Sequence, residues 1–329
     1  MNNIHAVITA VEGYVPDYIL TNEELSTMVD TSDEWIMTRI GIKTRHIERD
    51  PDKAASDMGA IVVRRLLEKT NTPSEDIEMI ICCTVTHDML FPSTANIIAD
   101  KCDIHTGFGF DVNAGCSGFL YGLTTAAKYI ESGFVRKAIV VGTEKMSTIV
   151  DYTDRAVSPI FGDGAGAVII EASEEPYGYL DGVLYSDGAG RVHLHQKAGG
   201  SLRPPTHETI NARMHYIYQE GQSVFKWAVT KMADASEEIM KRNNLTENDI
   251  RYLVPHQANV RIIEAARKRV NLPEEKVMMN IQKYGNTTAA TLPLLLWEYR
   301  DRLKKGDNLI LTAFGAGFTW GAVWLKWAI

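Results

Sequence analysis

Three residues that could do chemistry stand where an apolar run ends and a helical pattern begins. Cys116 follows FGFDVNAG, His256 follows YLVP, and Asn286 follows Gly285. A thiolate is a nucleophile, and an imidazole and an amide can donate hydrogen bonds to charge that develops on a carbonyl oxygen. As a set, these residue types offer a nucleophile and two donors for a developing oxyanion.

Taken singly, each residue has a simpler explanation. Free cysteine is among the most buried residue types, so Cys116 alone is better explained as core packing. His256 alone is typical of a hydrogen-bonded structural histidine, and Asn286 alone is typical of a helix N-cap. Cysteine, histidine and asparagine also serve papain-like proteases, but here the cysteine is far from the N-terminus and the CGSCW signature is absent.

The surroundings of Cys116 favour a reactive thiol. Small neighbours, Ala114, Gly115, Ser117 and Gly118, allow a substrate to approach the backbone closely. The start of a helix stabilises a thiolate, so we expect the pKa of this thiol to lie below its usual value of about 8.5. The backbone N–H groups of Cys116 and of Ala316, in FGAGFTWG, are candidate oxyanion donors.

The elements that position these residues occur twice in the chain. DMGAIVVRRLLEKTN leading into TPSEDIEMIICC matches VTKMADASEEIMKRNN leading into LTENDIRYLVP. The following strand, glycine turn, helix and strand also recur, with VMMNI as the strand before Gly285-Asn286, and Phe161-Gly162 matches Phe314-Gly315. We therefore predict a duplicated α/β fold with one half over residues 1–172 and the other over 173–329. Gly115-Cys116 then lies opposite Gly285-Asn286, at the strand ends where α/β sheets bind ligands.

Composition excludes several classes of function. A net charge of -8 in 329 residues argues against nucleic-acid binding. The N-terminus does not resemble a signal peptide, and no run of about 18 apolar residues predicts a membrane span, so we expect a cytoplasmic protein. Four cysteines without a CxxC pair predict free thiols and no metal site. FGDGAGA precedes a strand rather than a helix, which excludes a dinucleotide site and predicts a tight turn over Gly162–Gly166.

At this point the motifs resemble one family, from about residue 4 to the C-terminus. The motifs are TSDEWIMTRIGIKTRHI, DVNAGCSGF, FGDGAGA, VPHQAN, YGNTTAAT and FGAGFTWG. They resemble the β-ketoacyl-[acyl-carrier-protein] synthase III family, the initiating condensing enzymes of type II fatty acid synthesis. The resemblance implies a thiolase fold with five αβαβα layers, a homodimer and no cofactor. It implies that Cys116 takes an acyl group from acyl-CoA, while His256 and Asn286 stabilise the enolate formed when malonyl-[acyl-carrier protein] loses carbon dioxide.

The same resemblance assigns further binding residues. Those resembling the family's CoA site are Trp35, Arg39, Arg155 and Asn259. Two explanations stay open for a further basic group, either an ordinary solvated helical face or a patch that binds an acidic acyl carrier protein, and its residues are Lys226, Arg261, Lys268 and Arg269. The loop expected to shape the primer pocket, partly across the dimer, carries Met89, Leu90 and Phe91.

Two positions depart from the family pattern, and two other functions stay open. Gly115 stands where the family commonly has alanine, and Ala316 stands where it often has glycine. A specialised thiolase-fold condensing enzyme or acyltransferase of secondary metabolism has the same fold but would not join acyl-CoA to malonyl-carrier protein. An inert carrier-binding scaffold would take no acyl group from acetyl-CoA.

Overall fold

The computed structural model describes residues 4–329. The strands in that range are β1 (His5–Tyr14), β2 (Ile19–Thr21), β3 (Thr44–His46), β4 (Met79–Cys83), β5 (Phe108–Val112), β6 (Lys137–Glu144), β7 (Gly164–Ser173), β8 (Gly178–Ser186), β9 (Leu194–Gln196), β10 (Ile217–Gln219), β11 (Ile250–Pro255), β12 (Asn308–Gly315) and β13 (Thr319–Lys326). The α-helices are α1 (Asn22–Leu25), α2 (Asp33–Arg39), α3 (Ala55–Thr70), α4 (Thr94–Lys101), α5 (Gly118–Glu131), α6 (His207–Asn211), α7 (Gly221–Arg242), α8 (Val260–Arg269), α9 (Ile281–Tyr284) and α10 (Thr291–Tyr299).

Two large sheets share one strand pattern. The first sheet has the order β1-β7-β6-β4-β5, and the second has β8-β13-β12-β11. In the first, β4 runs parallel to β6 and β5, while β7 is antiparallel to β6 and β1. In the second, β11 runs parallel to β12, while β13 is antiparallel to β12 and β8. The same connections therefore occur in both sheets.

The outer edge of the second sheet differs from the prediction. VMMNI, expected to be a strand like β5, makes only an isolated parallel bridge between Val277 and Leu253. The side-chain Oε1 of Gln257 accepts hydrogen bonds from the N–H groups of Asn280 and Ile281, each at 3.0 Å. These backbone donors are thus satisfied by a side chain, and a full strand ladder does not form.

Five layers result from how the helices pack on the sheets. Helices α3 and α4 cover the outer face of the first sheet, and α7 and α8 cover the outer face of the second. Helices α5 and α10 lie between the sheets in a shared core. β4 is buried on both faces, because Met79, Ile81 and Cys83 join the central core while Ile80 and Cys82 join the outer one. This is the predicted αβαβα arrangement.

The glycine-rich FGDGAGA stretch is not the predicted tight turn. β7 already begins at Gly164, so Gly164 and Gly166 lie within a strand. A Cβ on Gly162 would lie 2.4 Å from Tyr284 O, and one on Gly166 would lie 2.9 Å from Pro293 Cβ. These glycines therefore allow close packing against the second half of the chain.

Between residues 4 and 329 there is no helix with the length and apolar character needed to cross a membrane.

Candidate active site

Cys116 lies in a short 3₁₀ turn that joins β5 to α5. The turn spans Gly115–Ser117, and Gly115 has a φ of +53°. A Cβ on Gly115 would lie 2.5 Å from Ala316 N, so the backbones of the two turns nearly touch. The Thr319 hydroxyl donates to Ala114 O at 2.6 Å, which fastens the turn after β12 to the cysteine turn.

His256 directly follows β11, and its backbone N–H donates to Thr312 O of β12 at 2.8 Å. The side chain is buried, with 2.8 Å between Nδ1 and Thr291 Oγ1. Nε2 has no hydrogen-bond partner within the described part of the chain. Burial lowers the pKa of His256 to about 3, so the ring is neutral at physiological pH.

Asn286 is held by its backbone to the segment that leads into β7. Its N–H donates to Ile160 O at 2.9 Å, and its carbonyl accepts from Gly162 N at 3.1 Å. Its side-chain Oδ1 accepts from Thr288 N at 2.8 Å. The amide NH₂ is consequently the end of the side chain that acts as a donor, and in this structure it reaches the Cys116 sulfur.

One cavity of about 640 Å³ brings these residues together. The predicted site residues that line it are Trp35, Arg39, Cys116, His256, Asn259, Arg261, Asn286 and Ala316. Most other lining side chains are apolar, including Val85, Met146 and Phe225. The cavity therefore combines a thiol, a neutral imidazole and an amide in an environment that favours hydrogen bonding to a developing oxyanion.

The prediction that the Cys116 thiol has a lowered pKa is wrong. Burial, and then the charge of Glu144, raise its pKa to about 12. The side chains of Asn286 and Thr288 hydrogen-bond to the sulfur and oppose that change, but they do not outweigh it. Loss of water around the sulfur thus dominates over the start of the helix, and Cys116 rests as a neutral thiol.

Glu144 is a buried carboxyl near the site that the sequence interpretation missed. It ends β6, and it accepts from Thr86 Oγ1 at 2.6 Å and from Val85 N at 3.1 Å. It also accepts from the backbone N–H of Ala289. Burial raises its pKa to about 7 in spite of these hydrogen bonds. An acidic residue at the end of the apolar run AIVVGTE was the available signal.

Two threonines in NTTAAT were also missed. Thr288 lines the cavity with a φ of +52°, and its hydroxyl has no partner besides the Cys116 sulfur among the described residues. Thr291 begins α10 and contacts the His256 ring. Their position directly after Asn286 was the only signal in the sequence.

The predicted CoA residues meet at one end of the cavity, except that Arg155 does not line it. The Arg155 guanidinium carbon lies 4.5 Å from the centre of the Trp35 ring. Asn259 caps α8 by accepting from Arg261 N at 2.9 Å, and its amide donates to Arg39 O at 3.0 Å. Arg39 and Asn259 are therefore joined by a hydrogen bond. Arg155 does not line the cavity and contacts it only through Trp35.

The four predicted carrier-binding cations are not equivalent. Arg269 is 2.5 Å from Asp234, so its charge is largely compensated, whereas Lys268 shares Glu264 with the closer Arg267. Arg261 lies over the Phe225 ring and lines the cavity. Lys226 is exposed on α7 and forms no ion pair with any described residue. Of these four cations, Lys226 and Arg261 are thus the two without an ion pair in the described chain.

The predicted primer-pocket residues lie outside this cavity. Met89, Leu90 and Phe91 are 51%, 73% and 84% exposed, and none of them lines it. Within a single chain they cannot contact an acyl group on Cys116.

All four cysteines are free, and across residues 4–329 no three His, Cys, Asp or Glu side chains group as metal ligands would.

Comparison with known proteins gives a consistent result. Residues 110–188 match the family model for 3-oxoacyl-[acyl-carrier-protein (ACP)] synthase III, and residues 240–327 match the model for its C-terminal part. The chain is 55% identical to β-ketoacyl-[acyl-carrier-protein] synthase III 2 of Bacteroides thetaiotaomicron, over 99% of this chain and 98% of that protein.

Two solved structures are similar over nearly their whole length. The 3-oxoacyl-[acyl-carrier-protein] synthase III of Aquifex aeolicus superposes with a TM-score of 0.90 at 38% identity, covering 98% of this chain and 100% of that one. A priming β-ketosynthase of a polyketide pathway has a TM-score of 0.91 at 32% identity, covering 98% of this chain and 96% of that one. The fold is therefore the thiolase fold of these enzymes, and the fatty acid branch is the more similar in sequence.

Proposed function

The chain belongs to the β-ketoacyl-[acyl-carrier-protein] synthase III family and catalyses the initiating condensation of fatty acid synthesis, and we propose that Cys116, His256 and Asn286 carry out this reaction. The observation that supports these assignments is their meeting in one cavity, although two of them follow strands and Asn286 lies between the short helix α9 and α10. The roles of the other donors in the cavity follow from the charge that develops in each step of the reaction.

The first step transfers the primer to Cys116. Its sulfur attacks the thioester carbonyl of acyl-CoA, a new carbon–sulfur bond forms, and CoA leaves with the thiol proton. The backbone N–H groups of Cys116 and Ala316 are the proposed donors to the oxyanion. Because the pKa of Cys116 is raised to about 12, the proton leaves only as the new bond forms.

The second step makes the carbon nucleophile. Malonyl-[acyl-carrier protein] loses carbon dioxide, and the electron pair of the broken carbon–carbon bond becomes an enolate. His256 and Asn286 donate hydrogen bonds to its oxygen. The enolate carbon then attacks the acyl thioester carbonyl, and a carbon–carbon bond forms as the carbon–sulfur bond to Cys116 breaks. The departing sulfur takes up a proton from solvent, as its high pKa favours. We propose that this sequence needs no cofactor or metal, since every charge that develops has a donor in the cavity.

We propose that CoA binds where Trp35, Arg39 and Asn259 line the cavity. Arg155 contacts Trp35 at 4.5 Å, and an adenine inserted between them would need about 7 Å, two contacts of ~3.5 Å. The base therefore stacks only if the pair separates, or else it stacks on a free face of either side chain. The proposed contacts for the acidic carrier protein are Lys226 and Arg261, together with Lys268 and the compensated Arg269.

We also propose a cytoplasmic homodimer that pairs through β5. This strand is an edge of the first sheet, and its outer side has no partner in the described chain. Phe108 on β5 packs against Phe134, leaving the two rings 40% and 69% exposed. A second copy would cover them and would bring a loop carrying Met89, Leu90 and Phe91 toward the partner's cavity. Sedimentation of the wild type as a monomer at micromolar concentration would refute this proposal.

The division into halves at residues 1–172 and 173–329 is a further proposal. β7, the last strand of the first sheet, ends at Ser173, and β8, the first of the second sheet, begins at Gly178. In this division Cys116 belongs to the first half, and His256 and Asn286 belong to the second.

The assignment of Cys116 is tested with a panel of acyl-CoA primers and malonyl-carrier protein. We expect wild type to gain the mass of one acyl group and to form β-ketoacyl product. Cys116→Ala should gain no acyl group and lose condensation by at least ~10⁴-fold, as removal of a nucleophile does elsewhere. Cys102→Ala, which removes a buried thiol bonded to Ala60 O, is the matched control. Undiminished product from Cys116→Ala would contradict the assignment.

A further inference from the structure

The His256 ring has one hydrogen-bonded nitrogen and one free one. Nδ1 lies 2.8 Å from Thr291 Oγ1, while Nε2 has no partner in the described chain. A neutral imidazole carries a single N–H, so one nitrogen donates and the other accepts. The position of that proton decides whether Nε2 can donate to a substrate oxygen or would repel it.

The hydroxyl of Thr291 has one proton and two acceptors within reach. One is Nδ1 of His256, and the other is the carbonyl of Thr288 at 3.0 Å. If the hydroxyl donates to the carbonyl, Nδ1 must carry the ring proton and Nε2 is left with a bare lone pair. If it donates to Nδ1, the ring proton is on Nε2.

Nδ1 is satisfied in both arrangements, because an Nδ1–H donates to Thr291 Oγ1 in the first and Nδ1 accepts from it in the second. The Thr288 carbonyl already accepts the backbone N–H of Thr291, so it keeps a donor when the hydroxyl turns to Nδ1. The two arrangements therefore differ at Nε2, which has no partner in the described chain, and only the second makes Nε2 the donor that the proposed reaction requires.

We propose that Thr291 is a positioning residue that donates to Nδ1 and holds His256 with its proton on Nε2. This inference deepens the proposed function, because only a proton on Nε2 lets His256 stabilise the enolate oxygen of the malonyl thioester. The turn that presents Asn286 thus also sets the second donor, since Thr291 comes after it at the start of α10.

The experiment compares the whole wild-type chain with two variants of Thr291, a control variant and a variant that assigns the signals. Thr291→Val keeps the shape but removes the hydroxyl, and Thr291→Ser restores it. Thr125→Val is the matched control, because that threonine also bonds a carbonyl within a helix, Tyr121 O at 2.7 Å, and lies outside the cavity. Nitrogen-15 NMR of labelled histidine reports the tautomer, with His256→Gln to identify the signals among nine histidines.

We expect wild type to show a protonated Nε2 and a hydrogen-bonded Nδ1. In Thr291→Val the Nδ1 signal should move to that of a nitrogen without a donor. Carbon dioxide release from malonyl-carrier protein should fall about tenfold, on the scale of one hydrogen bond, while acylation of Cys116 stays within about twofold. Thr291→Ser should recover both the signal and the rate.

Two results would overturn the proposal. One is a wild-type spectrum with the proton on Nδ1, and the other is unchanged carbon dioxide release from Thr291→Val. Failure of the proposed function is recognised separately, because wild type itself would then release no carbon dioxide, whereas the NMR spectrum reports the tautomer whether or not the enzyme turns over.

Discussion

The two glycine junctions that meet in the cavity share a backbone feature but differ in the turn that leads to the next helix. Gly115 and Gly285 both have positive φ, +53° and +65°, directly before Cys116 and Asn286. At the first junction the cysteine lies inside the 3₁₀ turn, and α5 begins at once with Gly118. At the second, a separate turn over Thr288–Ala290 comes between the asparagine and α10.

That extra turn gives the second junction more contacts with the site. Thr288 reaches the Cys116 sulfur, the N–H of Ala289 donates to Glu144, and Thr291 contacts His256. The first junction offers only the thiol and its own backbone N–H. One repeated backbone design therefore carries the proposed nucleophile in one copy and a set of hydrogen-bond donors in the other. This difference predicts that substitutions at the two junctions impair different steps of the reaction.

Asn286→Ala is expected to produce the largest difference between the two steps, acylation of Cys116 and release of carbon dioxide. Removing its amide takes away one donor to the enolate, so carbon dioxide release should fall about 10²- to 10³-fold. Acylation of Cys116 by acyl-CoA should continue, which is the reverse of the Cys116→Ala result. Intact-mass analysis and carbon dioxide release measure the two steps.

Asn308→Ala is the matched control for Asn286→Ala. Asn308 begins β12, away from the cavity, and donates to Asp249 O at 3.0 Å. It should leave both steps within about twofold, as changes away from a site usually do. If Asn286→Ala stops acylation as completely as Cys116→Ala does, the division of labour between the junctions is wrong.

The positions of these residues were predictable because the signals are local. Fully apolar runs such as Met79–Cys83 predict buried strands, and a glycine before Cys116 or Asn286 predicts a turn into a helix. The ends of parallel strands lie at one edge of a sheet, so the meeting of Cys116 and His256 could be inferred from the repeat. Asn286 joins them although the segment before it, VMMNI, is not the predicted strand.

What the sequence did not predict depends on contacts between distant segments. Glu144 accepts hydrogen bonds from Thr86 and Ala289, and the residues that neighbour Glu144 in the sequence do not predict either partner. The pKa of Cys116 depends on how completely the two halves exclude water, which a helix start alone does not reveal. The missing strand at VMMNI depends on one side chain, Gln257, that satisfies its backbone.

Glu144 accepts a hydrogen bond from Ala289 at the second junction and acts through its charge on Cys116 at the first, and its ionisation should make the stability of the chain pH-dependent. Its pKa is raised from 4.5 to about 7, so the folded chain holds this proton more tightly than the unfolded chain. The stability it contributes is complete below pH 4.5 and is lost as pH rises through 7. Relative to Glu144→Gln, which stays neutral, wild type should lose up to about 3 kcal/mol over that window.

Urea unfolding of both proteins at pH 5 and pH 8, at equal protein concentration, measures this difference. Comparing the variant with wild type cancels the other groups that titrate in the same range. A stability difference that is the same at both pH values would mean that Glu144 is not held neutral by burial.

A smaller effect is expected from adding a methyl group at each glycine. Gly115→Ala places Cβ 2.5 Å from Ala316 N, a proposed oxyanion donor, and Gly285→Ala places it 2.8 Å from Ile160 O, which anchors Asn286. Each should cost about 1–3 kcal/mol of stability. Gly115→Ala should mainly slow acylation, by about tenfold if one oxyanion hydrogen bond is weakened, and Gly285→Ala should mainly slow carbon dioxide release.

Gly133→Ala controls for backbone strain alone, since this glycine has a φ of +75° and no described atom within 4 Å of the added Cβ. It should lower the melting temperature without changing either step. The double variant Gly115→Ala with Ala316→Gly should recover part of the acylation rate, because glycine lets the opposing turn move away. No recovery would show that the family's alanine and glycine at these positions are not a compensating pair.

The smallest effects should distinguish the substrate surfaces of the two halves. Trp35→Ala removes a proposed CoA contact on the first half, so the KM for acyl-CoA should rise about fivefold, the scale of a cation–π contact, while that for malonyl-carrier protein is unchanged. Lys226→Ala should do the reverse, with a KM increase of a few-fold that shrinks in high salt. Arg269→Ala is the control for Lys226→Ala, because its charge is already compensated by Asp234. If Lys226→Ala and Arg269→Ala raise the KM for malonyl-carrier protein equally, an ion pair within the chain does not prevent a cation from binding the carrier protein.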